Sequence, residues 1–245
     1  MITAGLGGDH RGVRLPRRTV LAGSIGAVLL AAAGCAAKPA EPRMLTMAEA
    51  ERFAVARFNN YDRHYVPFTM QLTVRGQRFF LSGRADFRDH LGYANFLTDG
   101  RPPRNFLLQW TLRQKAALQV NGDVLPARPP SGPWQVEAMD PERSGLDVAL
   151  ALLLNLADDR PENPLLLRQN GAQWIGEDNL DGVRVDRFTG PGSDHRPSDR
   201  LTYLVDDLGR LHRLVAKVAA DPDPVVINLS REPGTKIDLI SQLTD

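Results

Sequence analysis

The sequence is poor in the residues that close a fold covalently. Its one cysteine, Cys35, leaves no partner for an intramolecular disulfide. Aromatic residues make up only 7% of the chain. An excess of either charge is missing too. The 30 Lys and Arg nearly balance 29 Asp and Glu, for a net +1, which argues against a general nucleic-acid binder. No apolar run reaches the roughly 20 residues that a membrane-spanning helix needs.

The marks of catalysis are equally scarce. His10 lies near the N-terminus, and His64, His90, His195 and His212 are scattered with no H-x-x-x-H or HExxH spacing. No second cysteine is available to join a metal site. No G-x-S-x-G elbow occurs, and the glycines of "GLGGDHRG" do not follow a strand as a phosphate loop requires. Glu177, Asp178, Asp181 and Asp186 lack the alternating order of an EF-hand, and Asp181-Gly182 reads as a hairpin turn. No pair of carboxylates stands apart from ordinary surface charge as glycoside hydrolysis would need. A non-enzyme is expected, with no catalytic residue, no metal and no cofactor.

The N-terminus does carry a pattern. "RGVRLPRRTVLAGSIGAVLLAAAGCAAKPA" has four arginines, then an apolar run from Val20 to Ala33, then small residues up to Cys35. A basic head, a short apolar middle and a small-residue cut describe a secretory signal peptide. "AAGC" resembles the lipobox of bacterial lipoproteins, with Ala32 where most boxes have Leu. That resemblance implies an exported protein whose Cys35 becomes the acylated first residue, anchored to the outer face of the cytoplasmic membrane. "RRTVLAG" resembles a twin-arginine export signal, with Val20 where the stronger consensus has Phe, and both export routes stay open. The expected organisation is a signal at 1–35, a tether at 36–44 and one folded domain at 45–245. Loss of the signal leaves that remainder slightly acidic.

Periodicity fills in the domain. "TMAEAERFAVARFNNY" reads as one helix, with Thr46 and Glu49 as a capping box. In "VPFTMQLTV", Val66, Phe68, Met70, Leu72 and Val74 alternate with polar residues and Pro67, the pattern of a half-buried strand. Pro67 marks that strand as an edge. "GQRFFLSGRADF" repeats the alternation through Phe79, Leu81, Gly83, Ala85 and Phe87. "LGYANFLTD", "FLLQWTLRQ" and "AALQV" continue it, with Phe106, Leu108, Trp110 and Leu112 on one face. Brief turns between these runs make an antiparallel meander. After the proline-rich "PARPPSGP" come two helical stretches, "GLDVALALLLNL" and "ENPLLLRQN". Strands then resume in "AQWIGEDNLDGVRVDRFTG", "RLTYLVDD", "GRLHRLVAKV" and "PVVINLS".

The stretch at 145–156 sets the architecture. Nine of its twelve residues are Ala, Val or Leu, so it has almost no polar face. Burying each leucine is worth about 1.5–3 kcal/mol, so the segment needs cover. An antiparallel sheet offers one apolar face to inserted helices. The expected fold is α+β: a curved antiparallel sheet, a half-barrel, wrapped around central helices.

Lipobox, strand blocks and apolar middle helices resemble the actinobacterial LppX and LprG lipoproteins, relatives of the LolA/LolB carriers. "GEDNLDGVRVDRFTG" is similar to that family's strand pair after the helices, and "LTYLVDDLGRLHRL" to its closing hairpin. The resemblance spans roughly residues 45–230. It implies an apolar cavity that carries a lipid or another hydrophobic small molecule, in some members beside an export or efflux partner. The cavity-lining candidates are Phe68, Met70, Leu72, Phe79, Leu81, Phe87, Leu108, Trp110, Leu150, Leu153 and Leu154. Segments 126–133 and 190–199 are candidate gates. The alternative is a non-carrier envelope scaffold in which the same residues fill a dry core.

Overall fold

A computed structural model describes residues 41–100, 102–192, 197–218 and 223–244. Cys35 and the rest of the signal lie outside the described residues, as does 193–196 of the candidate gate at 190–199.

The chain opens with β1 (Arg43–Met44), α1 (Met47–Ala54) and α2 (Ala56–Arg63). A meander follows: β2 (Tyr65–Val74), β3 (Gln77–Asp86), β4 (Leu91–Thr98), β5 (Arg104–Trp110), β6 (Gln114–Val120) and β7 (Gln135–Ala138). Then come α3 (Gly145–Leu154) and α4 (Pro164–Gln169). A second meander runs through β8 (Gln173–Leu180), β9 (Val183–Pro191), β10 (Pro197–Val205), β11 (Leu211–Ala216) and β12 (Val225–Leu229). A 3-10 turn, Ser241–Leu243, lies near the end.

Among the described residues, twelve strands join one open antiparallel sheet in the order β1-β8-β9-β10-β11-β12-β2-β3-β4-β5-β6-β7. The two meanders meet where β12 pairs with β2, from Val226 opposite Gln71 to Leu229 opposite Phe68. Arg43 and Met44, expected in the tether, instead pair with Trp174 and Gln173 as an edge strand.

That meeting point overturns the edge assignment drawn from Pro67. β2 is central, with β12 on one side and β3 on the other. Pro67 lies just past the end of β12, where its carbonyl accepts from the Ser230 N–H at 2.8 Å. In the reciprocal bond a residue other than proline would donate to the Ser230 carbonyl. Here the Arg63 guanidinium donates to that oxygen instead. The missing donor is replaced from α2.

The first helix begins as expected. Glu49 N–H donates to Thr46 Oγ1 at 3.3 Å, and Thr46 N–H donates back to Glu49 Oε2 at 2.8 Å. It does not run through to Tyr61. Val55 breaks it, and the Ala54 carbonyl accepts from Glu162 N–H at 2.9 Å, a bond from outside the helix. The neighbouring turn presses on the break. Gly209 has φ +74°, and a Cβ there would stand 2.4 Å from Val55 Cγ2.

One face of the sheet is covered by helices. Buried residues of α1, α2, α3 and α4 share a core with Val66, Phe68, Met70, Leu72, Leu81, Ala85, Leu108, Trp110, Phe188, Leu214 and Ile227. α3 packs on β2, β3 and β4. The opposite face carries a second core of Leu91, Tyr93, Leu107, Ala116, Trp134, Ile237, Ile240 and Leu243. Both faces of β5 are therefore buried. Leu112, expected beside Trp110, falls beyond the end of β5 and is exposed.

Candidate functional site

The helix-covered face of β2–β6 gathers the residues that the sequence offered as a cavity lining. Phe68, Met70, Leu72, Leu81, Phe87, Leu108, Trp110, Leu150, Leu153 and Leu154 are each 3% exposed or less and share one core. Phe79 packs against the same core half-buried. These side chains fill the space between α3 and the sheet.

The register explains the assembly. Leu81 lies opposite Met70 on one side and Phe96 on the other, and Leu108 lies opposite Ala94. Each strand thus sends alternate residues to the helices. Trp110 lies opposite Gly92, and its ring occupies the space that a side chain there would need. A Cβ on Gly92 would come within 2.2 Å of Trp110 Cζ2. The Phe68 and Trp110 rings meet edge to face, 6.1 Å apart at 89°.

α3 is tied to this face by polar contacts as well. Ser144 caps it, accepting from Asp147 N–H at 3.2 Å. The Asp147 carboxylate, almost fully buried, takes both its oxygens to Lys115 Nζ at 2.9 and 2.8 Å, and accepts from Asp140 N–H at 2.8 Å. Trp110 Nε1–H donates to the Leu150 carbonyl at 3.3 Å. His90 Nδ1 lies 3.1 Å from the Leu154 carbonyl, and Asn60 Nδ2–H donates to that of Leu156 at 2.7 Å. The apolar helix is thus held at three points along its length, and the chain just after it at a fourth.

Part of the core is not sealed. Phe79, Phe96 and Phe106 form a ladder of rings, with centroids 5.3 and 6.1 Å apart. Phe79 and Phe106 at its ends are half-buried. Val74 and Leu146 are half-buried too, and the Val74 side chain stands beside Gly145 at the start of α3.

The opposite face holds what sequence reasoning missed. Gln109 is fully buried; its Nε2–H donates to the Asp238 carbonyl at 2.9 Å, and its Oε1 accepts from Ile240 N–H at 2.8 Å. Arg84 donates to Thr235 Oγ1 at 2.6 Å and to the Ala127 carbonyl at 2.9 Å. Burial pushes the Tyr93 phenol up to about 12. The proline-rich segment at 126–133, a candidate gate, is thus bound to the face away from α3. A groove of about 310 Å³ also opens on this side, with Phe80, Leu97, Val226, Asn95 and Asn228 in its walls. The consecutive apolar residues Phe106, Leu107 and Leu108 were the available signal, because a strand covered on both sides loses its alternation.

Two of the acidic residues near the β8–β9 hairpin pair with basic neighbours. Glu177 pairs with Arg184, and Asp186 with Arg52 and with Trp174 Nε1–H. Asp86 is buried, and its Oδ1 accepts from Arg88 and Asp89 N–H at 3.1 Å each. His64, Asp86 and Asp89 bring donor atoms within 4.8 Å of one another. Trp134 joins the second core; Trp174 and Tyr203 pack half-buried at the first.

No family model matches this chain, and no curated protein matches it. Among solved structures it is similar to a DUF1329 family protein from Desulfovibrio piger. The two are 12% identical over 76% of this chain and 92% of that one, with a TM-score of 0.30.

Proposed function

We propose that the protein is a membrane-anchored envelope lipoprotein that holds a lipid or other hydrophobic molecule between α3 and its sheet. The sheet would then be the half-barrel of the LppX, LprG and LolA-like carriers, with the helices as its filling. The observation that carries this reading is the ladder of Phe79, Phe96 and Phe106, which leaves aromatic surface half-covered where the core meets solvent. An apolar chain entering there gains the area that the rings now leave wet. Entry further inward requires α3 to shift, because Leu150, Leu153 and Leu154 occupy the space. The mechanism is burial and release, with no bond made or broken. Cys35 supplies the anchor.

A second reading, a scaffold with a permanently filled core, draws support from the close packing around Trp110 and Leu150. One experiment separates the two. The full chain, purified from the envelope without harsh detergent, is analysed by native mass spectrometry, then delipidated and titrated with a fluorescent fatty acid. Saturable uptake that falls in Phe106→Arg, with the unfolding midpoint little changed, supports the carrier. Absence of any uptake leaves the scaffold.

A further inference from the structure

Exposed apolar side chains gather where the described chain begins. Met44 is 65% exposed, Met47 41%, Leu165 51% and Leu166 52%. They belong to β1, the first turn of α1, and α4, and these segments are locked together. Arg168 of α4 donates to the Leu45 carbonyl at 3.0 Å, while Glu162, just before α4, donates to the Ala54 carbonyl at 2.9 Å. α4 therefore runs antiparallel along α1. Leu167 turns inward to the core, which leaves Leu165 and Leu166 on the outward side. Leu165 precedes Arg168 by three residues and so shares its helix face, the one that reaches the chain beside Met44 and Met47.

Among the described residues nothing covers this apolar face, and the sequence carries an anchor candidate shortly before it. Cys35 stands six residues before Glu41, the first described residue. Six residues span about 20 Å at full extension. An acyl anchor at Cys35 would keep β1 and α1 near the bilayer surface, within reach of its headgroup layer. Exposed apolar patches beside such an anchor are suited to the interface, where apolar side chains enter the headgroup boundary and two signals bind more firmly than one.

We infer that Met44, Met47, Leu165 and Leu166 form one face that rests on the outer leaflet of the membrane. The inference rests on the Cys35 anchor proposed above. It gives the domain a fixed orientation, with β1 and α4 toward the lipid.

Single-cysteine labelling of the full chain tests it, because an acylated Cys35 offers no free thiol. NBD is placed at Met47→Cys, Leu165→Cys and, as a control on the opposite sheet face, Val124→Cys. The proteins are reconstituted in vesicles of phosphatidylcholine and phosphatidylglycerol, with nitroxide-bearing lipid as quencher. The expected result is loss of emission at positions 47 and 165 but not at 124. Emission unchanged at all three sites, in protein that floats with the vesicles, overturns the face alone. Equal loss at all three overturns it as well. A chain that fails to float, or whose unsubstituted form takes up label at Cys35, overturns the anchor and the face together.

Discussion

The indole of Trp110, on β5, donates to the carbonyl of Leu150 in the middle of α3. The bond joins the most apolar helix to the sheet through a polar group that is itself fully buried. Trp110→Phe keeps most of the ring's apolar burial and removes the donor, so about 1 kcal/mol of stability is expected to go. Trp110→Ala empties the site as well, and about 3–5 kcal/mol is expected. Gly92→Ala drives a methyl into the indole and should cost more than Trp110→Phe. Urea unfolding of the three variants gives the order directly; a Trp110→Phe protein as unstable as Trp110→Ala would show that the bond, and not the packing, dominates.

Lys115 and Asp147 make the second tie. Lys115 keeps some contact with solvent and lies 3.5 Å from Glu137, whereas Asp147 is 1% exposed. Lys115→Met leaves a buried carboxylate with the Asp140 N–H as its donor, and the expected loss is about 3 kcal/mol. Replacing both residues, as Lys115→Met with Asp147→Leu, removes the stranded charge and should recover part of that loss. Thermal unfolding of the single and double variants measures it. A double variant less stable than Lys115→Met by the full cost of a second lesion would refute the assignment.

The alternation of Phe68, Met70, Leu72, Phe79 and Leu81 was legible because each strand has one face against helices, and a strand with one buried face repeats every two residues. The Thr46–Glu49 capping box and the Asp181-Gly182 turn were legible because both are local. The central place of Pro67 was not. It depends on β12, which lies about 160 residues further along the chain and stops just short of the proline. Gln109 was hidden in the same way, because its partners Asp238 and Ile240 come from the chain's end. The break at Val55 follows from Glu162 and Gly209, both distant in sequence. Local pattern revealed which residues are buried; long-range pairing decided what buries them.

Glu49 gives the fold a dependence on acid. The Arg43 guanidinium beside it, with help from the Thr46 N–H, holds its carboxyl at about 2, against an ordinary 4.5, although burial opposes them. A carboxylate with a depressed pKa contributes stability that is present above the ordinary value and lost as pH falls through the lowered one. The start of α1 should therefore hold at pH 5 and loosen between about 4.5 and 2. Amide exchange at Glu49 and Ala50 follows this region. In Glu49→Gln the acid-dependent step should vanish, with lower protection already at neutral pH. An unaltered step in that variant would assign the transition to other groups.

Gln109 binds the chain's end with both ends of its amide, and the second core depends on that clasp. Ile237, Ile240 and Leu243 reach Leu107 and Trp134 only while the segment is held against β5. Gln109→Leu keeps the volume but strands the Ile240 N–H and the Asp238 carbonyl, at about 1–3 kcal/mol for each group that stays buried. The cheaper outcome for the protein is to release the segment into water, where both groups find partners. Hydrogen exchange across 234–244 should then rise sharply, while β2 and α3, on the other face, keep their protection. Equal protection of 234–244 in both proteins would mean that the apolar contacts alone retain the segment, and that the amide is incidental.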